Sequence, residues 1–265
     1  MTTFIIRNKR KKYVARLAAA VLWIGLWQFA AVKTGQELIL PAPFAVIRRI
    51  FELAAAPAFW GAVGYSFLSV FCGFALGVIA GTVLAVLACV SGILRELMSP
   101  LLLLTKATPV ASFIVLALLW IKSPYLATFI SCIAVLPIVW ANMVQGIDNT
   151  DRELLEMARC FRFSPFKKFR YLYFPSVYPY FVSACSTALG FAWKSGIAAE
   201  ILGLPKHTVG TNVYYAKIYL ETPDVFAWTA VIIALSVLIE KVLVGLLRRS
   251  AGKRNVVRQK KEETV

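Results

Sequence analysis

Six long apolar stretches, at 15–32, 61–90, 100–121, 124–147, 177–202 and 226–247, constrain this chain more than any other feature. A hydrocarbon core about 30 Å thick takes about 20 residues of helix to cross. Inside it every backbone N–H and C=O must be satisfied within the protein. Membrane strands would show as short segments of alternating polarity, whereas these stretches are continuous runs. They predict an all-α membrane protein of about six transmembrane helices. Composition agrees, since 60% of the 265 residues are hydrophobic, more than a soluble domain needs for its core.

The formal net charge of +16 would in another chain raise nucleic acid as a partner, but the basic residues flank the apolar stretches. Six spans put both termini on one side of the membrane. That side collects 20 basic residues, from Arg7 to Arg16, Arg95, the loop from Arg152 to Arg170, and the tail from Arg248 to Lys261, against 6 on the other side. Basic loops stay cytoplasmic. The chain therefore reads as a basic cytoplasmic segment (1–14), a transmembrane domain (15–247) and a basic cytoplasmic tail (248–265). The partner implied is the lipid bilayer, with no nucleic acid.

The first stretch follows Asn8-Lys9-Arg10-Lys11-Lys12 and so has the form of a signal peptide. Its apolar run is longer than usual and no small-x-small cleavage pattern follows, so a retained anchor is expected. Cys72, Cys89, Cys132, Cys160 and Cys185 are scattered without a C-x-x-C pair, which indicates neither a disulfide framework nor a metal site. The single histidine, His207, reads as a solvated loop residue. No cofactor is called for.

Two connections carry more information than the rest. After the first span, Leu40-Pro41-Ala42-Pro43 breaks the helix. It is followed by Val46, Ile47, Ile50, Phe51 and Leu53 on one helical face, with Arg48, Arg49 and Glu52 on another. Such a helix lies on the outer membrane surface or packs on the outer mouth of the bundle. The longest cytoplasmic loop, 148–176, begins with Thr150-Asp151-Arg152-Glu153, which fits a capping box with Thr150 as the cap. Leu154, Leu155, Ala158 and Phe161 then recur at helical spacing. Ser164-Pro165 starts a second short helix, and Pro175 is expected to end it. This elbow either lies flat on the membrane or inserts its apolar stripe into a soluble partner.

Within the spans, Gly73, Gly77 and Gly81 form a doubled G-x-x-x-G, which lets a second helix approach closely. Ala184, Ala188, Ala192 and Gly196 make a similar stripe that Glu200 continues. Lys194 falls in the outer half of the fifth span, six residues before Glu200 and on a different face. It snorkels outward, pairs with another helix or lines a path. If it lines the path, Glu200 of a neighbouring copy is a candidate partner. Lys106, Asn142 and Gln145 are further candidates for a polar lining.

The segment LLEMARCFRFSPFKKFRYLYFP resembles the cytoplasmic signature loop of permease subunits of ABC-type importers. That pattern runs Glu-Ala-Ala, three residues, Gly, then an apolar-x-Leu-Pro ending. Glu156, Ala158 and Pro175 match it. Met157, Arg162 and Phe174 stand at the second-alanine, glycine and leucine positions. Arginine in place of glycine should cost about 1 kcal/mol in a left-handed turn, or else force another turn. LPAPFAVIRRI, KATPVASFIVLALLW (with Lys106, Pro109 and Trp120), ALGFAWKSGIAAEIL (with Trp193 and Glu200) and TPDVFAW resemble the nitrate, sulfonate and taurine branch of that family.

The resemblance implies a type I ABC importer permease-like bundle with a cytoplasmic coupling helix formed by Leu155, Glu156, Ala158, Phe161 and Arg162. It also implies a permease homodimer, an ATP-binding ABC subunit and an extracytoplasmic solute-binding protein as partners. The solute would be small, such as a sulfonate, nitrate or taurine. The chain has no G-x-x-x-x-G-K-[ST] loop, so ATP hydrolysis is expected in a separate subunit. A secondary transporter or channel would be expected to show acidic residues or broken helices at mid-membrane. An intramembrane enzyme would need a convergent acid–base group, which one loop histidine does not make.

Overall fold

The structure is a computed structural model that describes residues 8–262. The side chains of 1–13, 16, 101, 106, 107, 244 and 247–265 lie outside the described residues, and among them is that of the path candidate Lys106. The order of elements is α1 Asn8–Thr34, α2 Pro43–Ala55, α3 Pro57–Val90, α4 Gly92–Ala107, α5 Val110–Ala117 and α6 Ser123–Asp148. It continues with α7 Arg152–Cys160, α8 Pro165–Lys168, a π-helical turn Phe169–Tyr173, α9 Phe174–Gly203, α10 Val209–Ile218 and α11 Thr222–Glu262. No strand occurs among the described residues.

Four helical stretches are long and apolar enough to cross a bilayer: Leu17–Thr34, Pro57–Val90, Ser123–Asp148 and Thr222–Leu243. The third expected span, 100–121, is not one straight helix. Gly92–Thr105 and Val110–Ala117 meet at a bend of 102°. Proline disfavours helical torsions in the residue before it, and Thr108, preceding Pro109, is extended at ψ 130. The fifth expected span, 177–202, lies inside the single helix α9. That helix is 30 residues long, but its serines, its threonine and Lys194 keep it less apolar than the other four.

Pro175 does not end a helix as expected. The wider π turn over Phe169–Tyr173 runs straight into α9, with Pro175 at its start. There the missing N–H falls where the hydrogen-bond ladder changes register.

The chain divides into two compact units. The described parts of Met1–Trp60 with Asn212–Ile232 form one. Here the Trp27 indole N–H donates to the Pro41 carbonyl at 3.1 Å, and its ring lies 5.8 Å from Phe226. Thr222 donates to the Leu38 carbonyl at 2.7 Å, and Phe59 stacks on Trp228 at 5.0 Å. α2 is fastened by its cationic side: both Arg49 nitrogens Nε and Nη2 donate to Asp224, the latter at 2.9 Å. Val46 is buried while Phe44, Ile47 and Phe51 remain exposed. Arg49 thus turns toward α11 rather than to solvent.

The second unit comprises Gly61–Thr211 with the described part of Ile233–Val265. Its core is α3, α6 and α9. A Cβ added at Gly77 would lie 2.7 Å from both the Cys132 carbonyl oxygen and Val135 Cβ. One at Gly81 would lie 2.9 Å from the Leu136 carbonyl oxygen, and one at Gly73 2.8 Å from Ser131 Cβ. The two backbones therefore touch along two turns of helix, the close approach that small residues permit in membranes. Ala184, Ala188 and Ala192 of α9 are fully buried. Gly196 meets Val70 and Ser131, and Ser131 donates to the Ala192 carbonyl at 3.0 Å. Ile114 and Ala117 of α5 pack with Leu126, Ala127, Ile130 and Ala199 in a second apolar cluster.

Candidate functional site: the elbow, the exposed face of a span and a buried carboxylate

The elbow is built by helix-end chemistry. Asp151, not Thr150, caps α7: its carboxylate accepts the Glu153 N–H at 2.9 Å. Thr150 is buried instead, with its hydroxyl directed to the Gly146 carbonyl at 3.4 Å. The capping-box reading is thereby corrected, because Asp151 sits one residue nearer the helix start and the Thr150 hydroxyl is turned back to the end of α6.

At the other end the Phe163 N–H donates to the Ala158 carbonyl at 2.9 Å and the Arg162 N–H to the Arg159 carbonyl at 3.0 Å. These are the two bonds of a Schellman turn, whose pivot residue is left-handed. Arg162 is that pivot, at φ 49. The left-handed turn expected where the resembled pattern has glycine is thus made here by an arginine. Ser164 then caps α8, accepting the Lys167 N–H at 3.4 Å.

These turns fix which side chains the elbow displays. Ala158 is fully buried against its own chain, and Leu155 is half-buried. Leu154, Met157 and, most of all, Phe161 are exposed, at 71% for Phe161. Glu156 and Arg162 are exposed beside them. The outward apolar surface is accordingly Leu154–Met157–Phe161. Ala158 does not belong to that surface, because the closing turn directs its small side chain inward.

On α9 one face is not covered by the rest of the chain. Ser183, Thr187, Phe191 and Lys194 are exposed there, while Ala188, Ala192, Trp193, Ser195 and Gly196 are buried. Asn142 is half-buried and donates to the Ile138 carbonyl of its own helix at 2.8 Å. Gln145 is exposed one turn later.

Glu200 is not available to a neighbouring copy. It is 1% exposed, and its Oε2 accepts the Ser66 hydroxyl at 2.8 Å and the Gly210 N–H at 3.0 Å. Ser66 in turn accepts the Val209 N–H at 2.9 Å. A carboxylate thus caps the start of α10 and joins α9 to α3, where the positive end of a helix dipole favours negative charge. Oε1 is buried without a hydrogen-bond partner among the described residues. Sequence reading took Glu200 as the end of a small-residue stripe and as a candidate partner for Lys194 across two copies, not as a cap within its own chain. The missed signal was that a carboxylate on a buried stripe requires donors nearby.

At the other unit's polar cluster, hydrogen bonds from Arg49 and then Arg48 hold the Glu52 carboxyl below its ordinary range. Asp224 and Glu52 together push the Arg49 guanidinium up, so it stays charged at any working pH.

An all-helical chain with several membrane-length apolar helices and no strand among its described residues is a multi-pass membrane protein. Its small-residue seams are those of helices packed closely within a membrane. Residues 73–254 match the family described as binding-protein-dependent transport system inner membrane component, and the chain belongs to that family. Such a component works with an ATPase and a solute-binding protein rather than hydrolysing ATP itself.

The chain is similar to the permease protein SsuC of Escherichia coli (strain K12), named for aliphatic sulfonates transport, at 28% identity over 96% of this chain and 98% of that one. SsuC of Bacillus subtilis (strain 168) is 25% identical over 83% of this chain and 80% of its own. The nitrate import permease protein NrtB of Leptolyngbya laminosa is 24% identical over 73% and 71%.

Proposed function

We propose that this chain is the permease of an ATP-driven importer for a small anionic solute, with α7 as the element that docks its ATPase. The observation that carries the docking reading is the exposed Leu154–Met157–Phe161 surface on a short helix capped at both ends. An apolar surface held this rigidly is suited to a groove in a soluble partner. Glu156 and Arg162 at its edge supply polar contacts, and Leu155 and Ala158 hold the helix against the permease.

Counting the bent α4–α5 pair and α9 as one span each gives six, an arrangement that would have 1–14, 148–176 and 248–265 in the cytoplasm and 15–247 as the membrane domain. The 20-to-6 basic asymmetry supports this arrangement. Labelling with an impermeant maleimide tests it, using Cys160 alone and a His207→Cys variant in a cysteine-free background. Position 207 should label in intact cells and Cys160 only after permeabilisation; the reverse overturns the topology.

A permease homodimer would bring together surfaces that one chain leaves open, and the exposed face of α9 is one of them. Ser183, Thr187 and Lys194 there offer hydroxyls and a cation to a passing anion, with Lys106, Asn142 and Gln145 as further path candidates. The sulfonate and nitrate names of the relatives favour the anionic class. Lys194→Met should abolish uptake with the ATPase still bound, and Lys194→Arg should keep part of it. Full uptake by Lys194→Met overturns the path assignment.

A further inference from the structure

The unit that holds α2 and the start of α11 contains a cavity of about 430 Å³ that neither the elbow nor α9 uses. We propose that this cavity is a socket for a lysine or arginine side chain of the solute-binding protein. The inference rests on the importer reading and on the topology that places the α10–α11 junction outside the membrane.

Four aromatic rings line the cavity. Phe59 and Trp228 form its floor, stacked at 5.0 Å and almost fully buried. Tyr215 and Tyr219, stacked at 6.1 Å with their planes 23° apart, stand more exposed at its wall. Aromatic faces are negative and attract ammonium and guanidinium groups over them.

Two carboxylates share the lining. Asp224 is already engaged by Arg49. Glu221 is exposed, and no hydrogen bond or ion pair engages its carboxylate among the described residues. Its main chain is nonetheless fixed. The Glu221 N–H donates to the Ala216 carbonyl at 2.9 Å, and its carbonyl accepts the Asp224 N–H at 2.9 Å. The turn between them pivots on Leu220 at φ 59.

A rigidly presented free carboxylate beside aromatic walls has the chemistry of a cation receptor. The cavity has room for a long flexible side chain, whose methylenes would pack on the rings while its charge reaches Glu221. Asn212 adds an amide to the rim. The occupant named is the binding protein because the family operates with one, and because a single protruding cation is a feature of protein surfaces.

The test uses the permease–ATPase complex in nanodiscs and its purified binding protein, with affinity read by biolayer interferometry. Glu221→Gln and Tyr219→Ala should each weaken binding roughly tenfold, and Glu221→Lys should abolish it. Tetramethylammonium should compete at an ionic strength where sodium does not. A size-exclusion profile and thermal midpoint like the wild type's show that each variant is folded. Wild-type affinity in Glu221→Lys, or indifference to tetramethylammonium, overturns the socket while leaving the importer intact. A wild-type complex that binds no binding protein overturns the importer reading and the socket together.

Discussion

Ser66 on α3 donates its hydroxyl to Glu200 on α9 at 2.8 Å while accepting the Val209 N–H at the head of α10 at 2.9 Å. One hydroxyl thus satisfies a carboxylate and a helix end at once, in a place from which water is excluded. Removing it leaves the buried Val209 N–H without that partner, a cost of about 1–3 kcal/mol, and takes from Glu200 Oε2 one of its two donors. Ser66→Ala should therefore lower the thermal midpoint of the purified protein by several degrees. Thr229→Ala, which removes an exposed hydroxyl bonded within its own helix, should leave it unchanged. Equal midpoints for the two would show that Ser66 carries no structural role.

The α3–α6 seam allows a similarly sharp contrast. Gly77→Ala would place its methyl 2.7 Å from Val135 Cβ and from the Cys132 carbonyl oxygen, so the helices must separate. Overpacking of this kind costs about 1–3 kcal/mol. Gly64→Ala on the same helix meets nothing within 4 Å and should be neutral or slightly stabilising, since alanine is the better helix former. Thermal unfolding in one detergent, run side by side, decides it.

Arg162 pays for its left-handed torsion because an L side chain crowds the backbone at φ 49. Arg162→Gly should relieve about 1 kcal/mol and raise the melting temperature of the purified permease slightly. Arg162→Val should do the opposite, since a β-branched residue is poorly tolerated at positive φ. A valine variant as stable as the glycine variant would mean that the turn rearranges freely.

Two neighbours on α7 should fail in different ways. Met157→Asp puts a charge on the exposed docking surface, so the permease should fold normally yet lose its ATPase on co-purification. Ala158→Asp puts a charge where nothing is exposed, which costs on the order of 3 kcal/mol or more unless the side chain is paired. That variant should be thermally destabilised whether or not the ATPase is present. Co-purification of a normal amount of ATPase with Met157→Asp would refute the docking surface.

The contrast between these two residues marks where sequence reasoning stops. Periodicity places Leu154, Leu155, Ala158 and Phe161 on one stripe, and they do recur at helical spacing. Which part of the stripe faces inward depends on the turn at Arg162 and the cap at Asp151, and these settle only when the helix is closed at both ends. The bend at Pro109 is of the same kind. Proline announces a break, but the 102° angle depends on how α5 packs against α6 and α9.

Other features were legible in the sequence because they rest on the solvent rather than on partners. A lipid environment demands long apolar helices with internally satisfied backbones, and any such chain must announce them in its composition. Small residues four apart announce a close seam for the same reason, since no larger side chain fits between touching backbones. Tertiary structure alone determined the roles of the isolated polar residues. Glu200 and Lys194 look alike along the sequence, each a charge in an apolar span. One is sealed by donors from α3 and α10, and the other stands on the face that the chain leaves open. Charge costs too much in a bilayer to be placed without a partner or water, and only the assembled helices decide which of these each residue receives.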